Sequence, residues 1–519
     1  MVNFRELYRH AEEHVSLYIG GLFVMLAVLI VAQSIFSPLW VLSGILSLVF
    51  LILTFRRPLW TLAFLAFYLP FEPFILKFIP DEIYIFARYS SEVLIYLLVA
   101  VVIWKLLTGE KKIRQTPIDL TFILLLISVA SSIIINFVPA TVAVLGLRQI
   151  FRFVIVFFIV VYLKPSKEFI KRLTVVMIAI VMIQSVIGIS QAIVGGPLDD
   201  FLIPSESRTF GDITLTSGVV QFWDPGSRVF ATLGRYDRLG NLLYFFLLIG
   251  IGLIYEKRIR KHKTELLWLF ALGLPTLVLT FSRASWFAFL LGFLFIGLII
   301  KKDKRILTAV ITFLIVVSSY LALTGLNVRM ITEAPGQTLV ERFYESFSYA
   351  RWRGEYYGLG RTFWYVQTPL VVIPASPIFG FGPGQFGGGV VAALRNTTVY
   401  DQVGLPFGVF GTEGYIDNSW FSLWGEIGTL GMIFYLWIYL KLFVTSIRLY
   451  KESHESMVRG IAIGFAAAMI GIAFNAFLST LLEIRTAAFY LWLYAGFIVV
   501  LYNAHEQKAG SRKQKVVRV

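Results

Sequence analysis

The sequence predicts an all-α polytopic membrane protein with about 12–14 transmembrane helices and a large folded external loop. Three observations predict it. Hydrophobic residues make up 58% of the 519-residue chain and charged residues 15%, against about 45–50% apolar and about 25% charged in soluble domains. Apolar runs recur along most of the chain at the length that crosses a hydrocarbon core of about 30 Å, which takes about 20 helical residues. Lysine and arginine gather in alternate connections between those runs.

Candidate spans lie near residues 15–35, 38–55, 58–79, 91–107, 118–137, 141–163, 172–194, 239–255, 265–281, 284–300, 306–325, 427–447, 457–478 and 484–503. The first follows mixed charges (Arg5, Glu6, Arg9, Glu12) and lacks a small-residue cleavage site, so it reads as a span and not a cleaved signal. Basic clusters fall at Arg56–Arg57, Lys105–Arg114, Lys164–Arg172, Lys257–Lys263, Lys301–Arg305, Lys441–Lys451 and Lys508–Arg518. Each follows an even-numbered span, where the positive-inside rule expects cytoplasmic loops. Both termini are therefore expected in the cytoplasm. The formal charge of +15 belongs to topology, and no nucleic acid partner is implied. Cysteine is absent, which excludes disulfides and thiolate chemistry.

The opposite face receives two long connections, near 195–238 and 326–426. The second shows Leu339, Phe343, Phe347 and Ala350 at helical spacing, then a second helix over Arg361–Val372, then the glycine-rich run FGFGPGQFGGG. Loops longer than about 15 residues are usually functional or disordered, and this one is too aromatic for disorder. The organisation expected is N-terminal helices over 1–140, a core carrying the arginine segments over 141–325, the external loop over 326–426, C-terminal helices over 427–503 and a basic tail over 504–519. No internal repeat of the transporter kind is present.

Ionisable groups at membrane depth point to function, and those that stand out fall on the external side. Arg148 and Arg152 lie one turn apart in the sixth span. Arg228, Arg235 and Arg238 punctuate SRVFATLGRYDRLGN before the eighth. Arg283 sits at the turn TFSRAS, and Asp417 precedes the twelfth span. Converging guanidiniums suit a polyanion, because the planar fork grips phosphate oxygens in pairs and keeps its charge. The plainer alternatives are snorkelling to the interface and, for Arg148 and Arg152, structural pairing with an acid such as Glu72 or Glu92. Asp417 suits a base that takes a proton from a hydroxyl or, more plainly, a helix N-cap. Glu413 and Glu426 are weaker candidates of the same kind. All five histidines map to cytoplasmic segments. No external carboxylate pair has metal-ligand spacing, so neither metal nor cofactor is expected.

In this order and on this side, the residues resemble the bacterial O-antigen ligase and O-antigen polymerase superfamily. The Arg228 segment, the TFSRAS turn and a large external loop with IFGFGPGQF ending near DNSWFSLWGEIGTLG carry the resemblance, over roughly residues 140–450. The ligase signature is His-Asn, nine residues, Gly, two residues, Gly. Asn418, Gly428 and Gly431 keep that spacing, while Asp417 stands at the histidine position. The resemblance implies transfer of a glycan from an undecaprenyl-diphosphate carrier to an acceptor hydroxyl, without metal or nucleotide. It implies Arg228 and Arg283 as diphosphate clamps and Asp417 as the base. Arg148, Arg152, Arg235, Arg238, Arg361 and Asn418 complete the substrate-binding set. The partners implied are the lipid-linked glycan, a glycan or lipid acceptor and membrane lipids, at the external, periplasmic face of the inner membrane. Attack opposite a departing diphosphate inverts the anomeric carbon. A transporter or flippase of lipid-linked glycans is the rival reading; the short cytoplasmic loops, with little polarity beyond Lys and Arg, weigh against it.

Overall fold

A computed structural model describes residues 33–34, 37–204, 207–210, 213–216, 228–256, 263–324, 327–332, 338–409 and 413–517. Among these, nine helices are long and apolar enough to cross a membrane. Ala140–Phe151 and Val154–Leu163 form a further span bent by 56°. Three shorter apolar helices, Pro58–Tyr68, Asp119–Ile135 and Thr264–Leu279, accompany them. Every expected span from the second onward coincides with one of these; the first, 15–35, lies outside the described residues except for 33–34. The chain is an all-α polytopic membrane protein, with one small antiparallel hairpin pairing Ser207–Phe210 with Ile213–Thr216.

Three spans differ most from the sequence expectation. The third, expected over 58–79, ends as a helix at Tyr68 and is followed by a separate short helix, Glu72–Lys77. The fourth span starts at Asp81, not near 91, because a proline at 80 sets the N-terminus and acidic Asp81 and Glu82 follow in the first turn. The twelfth belongs to a longer helix, Ser419–Glu452, which Asn418 caps: its side chain accepts from Phe421 N at 3.0 Å.

At the centre stands Tyr236–Ile254, buried without a gap from Leu239 to Leu253. In lipid, helices associate through close packing and small residues, since burying apolar surface gains little there. A Cβ on Gly252 would lie 2.2 Å from Gly460 O, and one on Gly464 would lie 2.4 Å from Ile249 Cα. These glycines bring the central helix against Ser456–Asn475. Gly292 and Gly471 do the same for Arg283–Leu294, against Ala467 and Ala288.

Ion pairs form two layers at opposite ends of the bundle. At one end Lys167 and Lys171 hold Glu455, and Glu256 lies between Lys301 (3.0 Å) and Arg459 (2.9 Å). At the other end Glu92 takes Arg148 and Arg152, while Glu72 takes Arg485 at 3.0 Å. The first layer joins the connections that the sequence marks as cytoplasmic, and the second joins the external ones.

Over the second layer folds the 338–409 segment. The expected amphipathic helix is broken into Leu339–Glu345 and Tyr349–Tyr357 by a turn at 346–348, with Phe343 and Phe347 both on Phe287. Arg361–Gln367 follows and continues through a wider turn to Ala375. Trp364, Phe386, Tyr400 and Ile416 form the segment's own apolar core.

Candidate active site

The site is built around a break in one helix. Gly428, with φ 67° and ψ −177°, interrupts Ser419–Glu452, and the glycine-rich run occupies the gap. Phe381 N and Gly382 N donate to Gly425 O (2.9 Å) and Glu426 O (2.8 Å), while Thr429 N and Leu430 N donate to Pro377 O (3.0 Å) and Ile378 O (3.1 Å). The glycine-rich run thus supplies hydrogen bonds that the helix itself gives up. Glu426, only 1% exposed, accepts from Gly384 N at 2.9 Å. Gln149 accepts from Val390 N at 2.8 Å and Glu483 from Gly389 N at 2.9 Å. Through these bonds Asn418, Gly428 and Gly431 acquire a geometry: cap, break and close-packed turn below it.

Asp417 stands two residues before the first residue of that helix. Asp417 is not the cap, since Asn418 fills that role; it stands half-exposed, with Arg361 Nη2 at 3.4 Å from Oδ2. Asn418 is fully buried, and its Nδ2 finds no hydrogen-bond partner among the described residues. From Arg361 a chain of charges leads inward. Glu355 lies 4.0 Å from Arg361 and 2.5 Å from Arg351, and Arg351 reaches Glu345 at 2.9 Å. Glu345, with no exposed side-chain surface, also takes Arg283 at 2.7 Å and Arg342 at 3.3 Å. Burial works against the charge on Arg361, but Asp417 and Glu355 outweigh it and hold its pKa above the ordinary arginine value.

Arg228 lies over the Tyr236 ring at 4.4 Å, and Tyr236 is within electrostatic reach of Arg361. Arg235 pairs with Asp237 at 3.1 Å and also feels Asp417. Arg228 and Arg283 are therefore linked through intervening groups, Arg228 by Tyr236 and Arg283 by Glu345. Arg238 is half-buried and has no ion pair or hydrogen bond among the described residues; Arg235, Asp237, Arg485 and Glu72 act on it through space. A desolvated guanidinium without a carboxylate is costly unless an anion joins it. Arg148 and Arg152 sit at the 56° bend and both pair with Glu92, Arg148 in two-pronged fashion and Arg152 at 3.3 Å. That is the structural pairing the sequence offered as their plainer alternative.

The segment 228–233, which begins at Arg228 and leads to Arg235 and Arg238, is held by two glutamines of Lys167–Val194. Gln191 Oε1 accepts from Phe230 N and Ala231 N, both at 2.9 Å, and Gln184 Oε1 accepts from Thr232 N at 3.2 Å. Sequence reasoning missed these glutamines, together with Arg351, Glu345, Glu355, Arg485 and Glu483. Two signals were available: Gln184 and Gln191 share one face of an apolar helix, and LLEIRTA sets two charges between the last two spans.

Residues 266–436 match the family model described as O-antigen ligase. The matched segment contains Arg283, Arg361, Asp417, Asn418, Gly428 and Gly431, so the resemblance to the O-antigen ligase and polymerase superfamily is borne out there. In broad terms the match supports an O-antigen ligase-type glycosyltransferase. No curated protein matches the chain.

Proposed function

We propose that this protein moves a glycan from an undecaprenyl-diphosphate carrier to a hydroxyl of a glycan or lipid acceptor, at the external face of the cytoplasmic membrane. The observation that carries this reading is the meeting of Arg361 with half-exposed Asp417 at the mouth, where Arg235 and Tyr236 are in reach and Arg228 covers Tyr236. Unpaired Arg238 stands nearby, within reach of Arg235.

In this reading Arg228, Arg361 and Arg238 receive the diphosphate. Negative charge grows on it as the sugar bond breaks, and fixed guanidiniums in a partly dry site stabilise that charge without reorganising. The arginines supply the countercharge, so the mechanism calls for no metal. Arg283 shares Glu345 with Arg342 and Arg351, so that cluster keeps an excess of positive charge behind the mouth. Asp417 takes the proton of the acceptor hydroxyl as its oxygen attacks the anomeric carbon opposite the diphosphate, with inversion. Arg361 fixes the carboxylate's direction. Arg148 and Arg152, committed to Glu92, brace the neighbouring wall, and Asn418 holds the helix start below Asp417.

Reconstitution with undecaprenyl-diphosphate oligosaccharide and candidate acceptors tests the reading. A new glycosidic bond and released undecaprenyl diphosphate are expected, and both should fall in Arg361→Ala. Movement of intact lipid-linked glycan between leaflets, with no new bond, would establish the flippase instead.

A further inference from the structure

Glu483 and Glu426 stand apart from the ion-paired carboxylates at this end of the bundle: neither makes an ion pair among the described residues, and Glu426 is 1% exposed whereas Glu483 is half-buried and the more accessible of the two. Glu72, Glu92, Asp237, Glu345, Glu355 and Asp417 each have a guanidinium within 4.0 Å. Glu483, in the turn Leu481–Glu483 before the last span, makes no ion pair among the described residues. Its one side-chain hydrogen bond is from Gly389 N to Oε2, at 2.9 Å. It is half-buried and lines a cavity of about 30 Å³ with Gln149, Ser419, Ser422 and Glu426, enough for one or two waters. The groups facing it are Arg152 from the bent span, Tyr415 from the loop before Asp417 and Glu426 across the cavity, while Arg485 lies two residues on in the chain. Arg152 and Arg485 are committed to Glu92 and Glu72. Tyr415 in turn lies within electrostatic reach of Arg235, Arg238 and Arg88.

We propose that Glu483 is the acid of this site: a protonated carboxyl that hydrogen-bonds the donor diphosphate and gives it a proton as the sugar bond breaks. The inference rests on the transferase reading above and adds a residue that the reading does not need. Two carboxyls in contrasting surroundings are how a site divides acid from base. Asp417 is open and arginine-paired, while Glu483 is half-buried against the cavity and unpaired among the described residues. Burial pushes the Glu483 carboxyl up to about 7, with the Gly389 N–H and Arg152 pulling the other way. An incoming diphosphate adds negative charge and favours the protonated form further. Oε2 then accepts from Gly389, and Oε1–H donates to a phosphate oxygen.

The step balances. The anomeric C–O bond breaks and its electron pair goes to the phosphate oxygen, which takes the Glu483 proton. The acceptor oxygen bonds to the anomeric carbon and loses its proton to Asp417. Solvent then removes the proton from Asp417 and restores the one on Glu483.

The test uses the full chain in nanodiscs, with undecaprenyl diphosphate as the probe, between pH 6 and 8.5. Because the bound state holds the Glu483 proton, wild-type affinity should fall as pH rises through about 7, approaching tenfold per unit for one linked proton. Glu483→Gln keeps an oxygen for Gly389 and a donor for phosphate, so it should bind with a flatter pH profile and melt like the parent. Its turnover should drop about 100-fold or more, the range of acid–base contributions, and Glu483→Asp should recover part of it. Parallel pH profiles in parent and Glu483→Gln, or Glu483→Gln turning over at the parent rate, would overturn the assignment. If Arg228→Ala and Arg361→Ala both bind the probe like the parent, the diphosphate reading itself fails. If they are impaired while the two pH profiles coincide, only the role of Glu483 fails.

Discussion

Gly380 and Gly428 meet backbone to backbone: a Cβ on Gly428 would lie 2.3 Å from Gly380 N, and one on Gly380 would lie 2.4 Å from Gly428 N. One residue belongs to the 338–409 segment and the other to a spanning helix, so this contact fixes how the two are joined.

Gly428→Ala should therefore be among the most damaging single substitutions. It places a side chain at φ 67° with ψ −177°, a region essentially confined to glycine that costs about 1–3 kcal/mol. Overpacking adds about 1–3 kcal/mol. A clear drop in melting temperature in detergent is expected, with loss of transfer. Gly44→Ala, which meets nothing within 4 Å, should melt like the parent or slightly higher. Equal melting of the two variants would show that the junction is not tight.

Removing Glu345 leaves Arg283, Arg342 and Arg351 facing one another with no carboxylate between them. Breaking a buried ion pair typically costs about 3–5 kcal/mol, and Glu345 has no exposed surface. Glu345→Ala should thus free the 338–375 region to proteases while the bundle stays intact. Proteolysis at the parent rate in Glu345→Ala would show that the cluster does not hold the external segment down.

Asp417 and Asn418 separate by mutation, although they are adjacent. Asn418→Ala removes the cap to Phe421 N and should cost about 0.5–2 kcal/mol of stability. Asp417→Asn leaves that cap in place, so melting and carrier binding should hardly change while transfer is lost. Asp417→His should retain part of the activity, with a pH profile reporting imidazole. Asp417→Asn working at the parent rate would leave Asp417 as a partner of Arg361 and nothing more.

Charge loss at Arg361 should weaken transfer by about 10- to 200-fold, the equivalent of one charge-assisted hydrogen bond of about 1.5–3 kcal/mol. Its pairing with Asp417 and Glu355 makes one further demand. In the Arg361→Ala background, adding Asp417→Asn should cost less than it does alone, since the two side chains act as a unit. Additive losses would separate their roles.

Sidedness is open to chemical labelling because the chain has no native cysteine. An impermeant maleimide should label Tyr357→Cys in intact cells and Lys515→Cys only after lysis. Tyr357 is 71% exposed on the 338–409 segment, which the sequence assigns to the external side. The reverse pattern would invert the topology.

The spans were legible because crossing a bilayer needs about 20 apolar residues whatever the partner helices are. The division of charge between the two ends was equally plain, since each basic cluster is local in sequence. Pairing was not local. Glu92 reaches Arg148 from another helix, which the sequence offered only as one choice of two, Glu72 or Glu92. Arg283 was a clamp by resemblance, and only the fold brings Glu345 to it from the 338–409 segment. Gly428 reads as the second letter of a motif. Only the docking of residues 377–382 shows that it opens a helix to receive them. Glu483 lay unnoticed for a simpler reason: one acid in a short connection looks like ordinary solvated punctuation.

The enclosed central helix bears on how the protein is made. Tyr236–Ile254 is the least apolar of the nine long spans and the most deeply enclosed, while the spans that face outward most are among the most apolar. A helix of this kind leaves the insertion machinery before several of its partners exist, since Arg283–Leu294 and Ser456–Asn475 are synthesised later. It must wait in lipid with Asn241 uncovered, because the Asn475 and Ser285 side chains that bond it have not yet arrived. Assembly then closes around a helix already in place, and the last spans to be translated complete the interior. Truncations that stop before residue 456 should accordingly leave an inserted but loosely packed chain, exposed to membrane quality-control proteases.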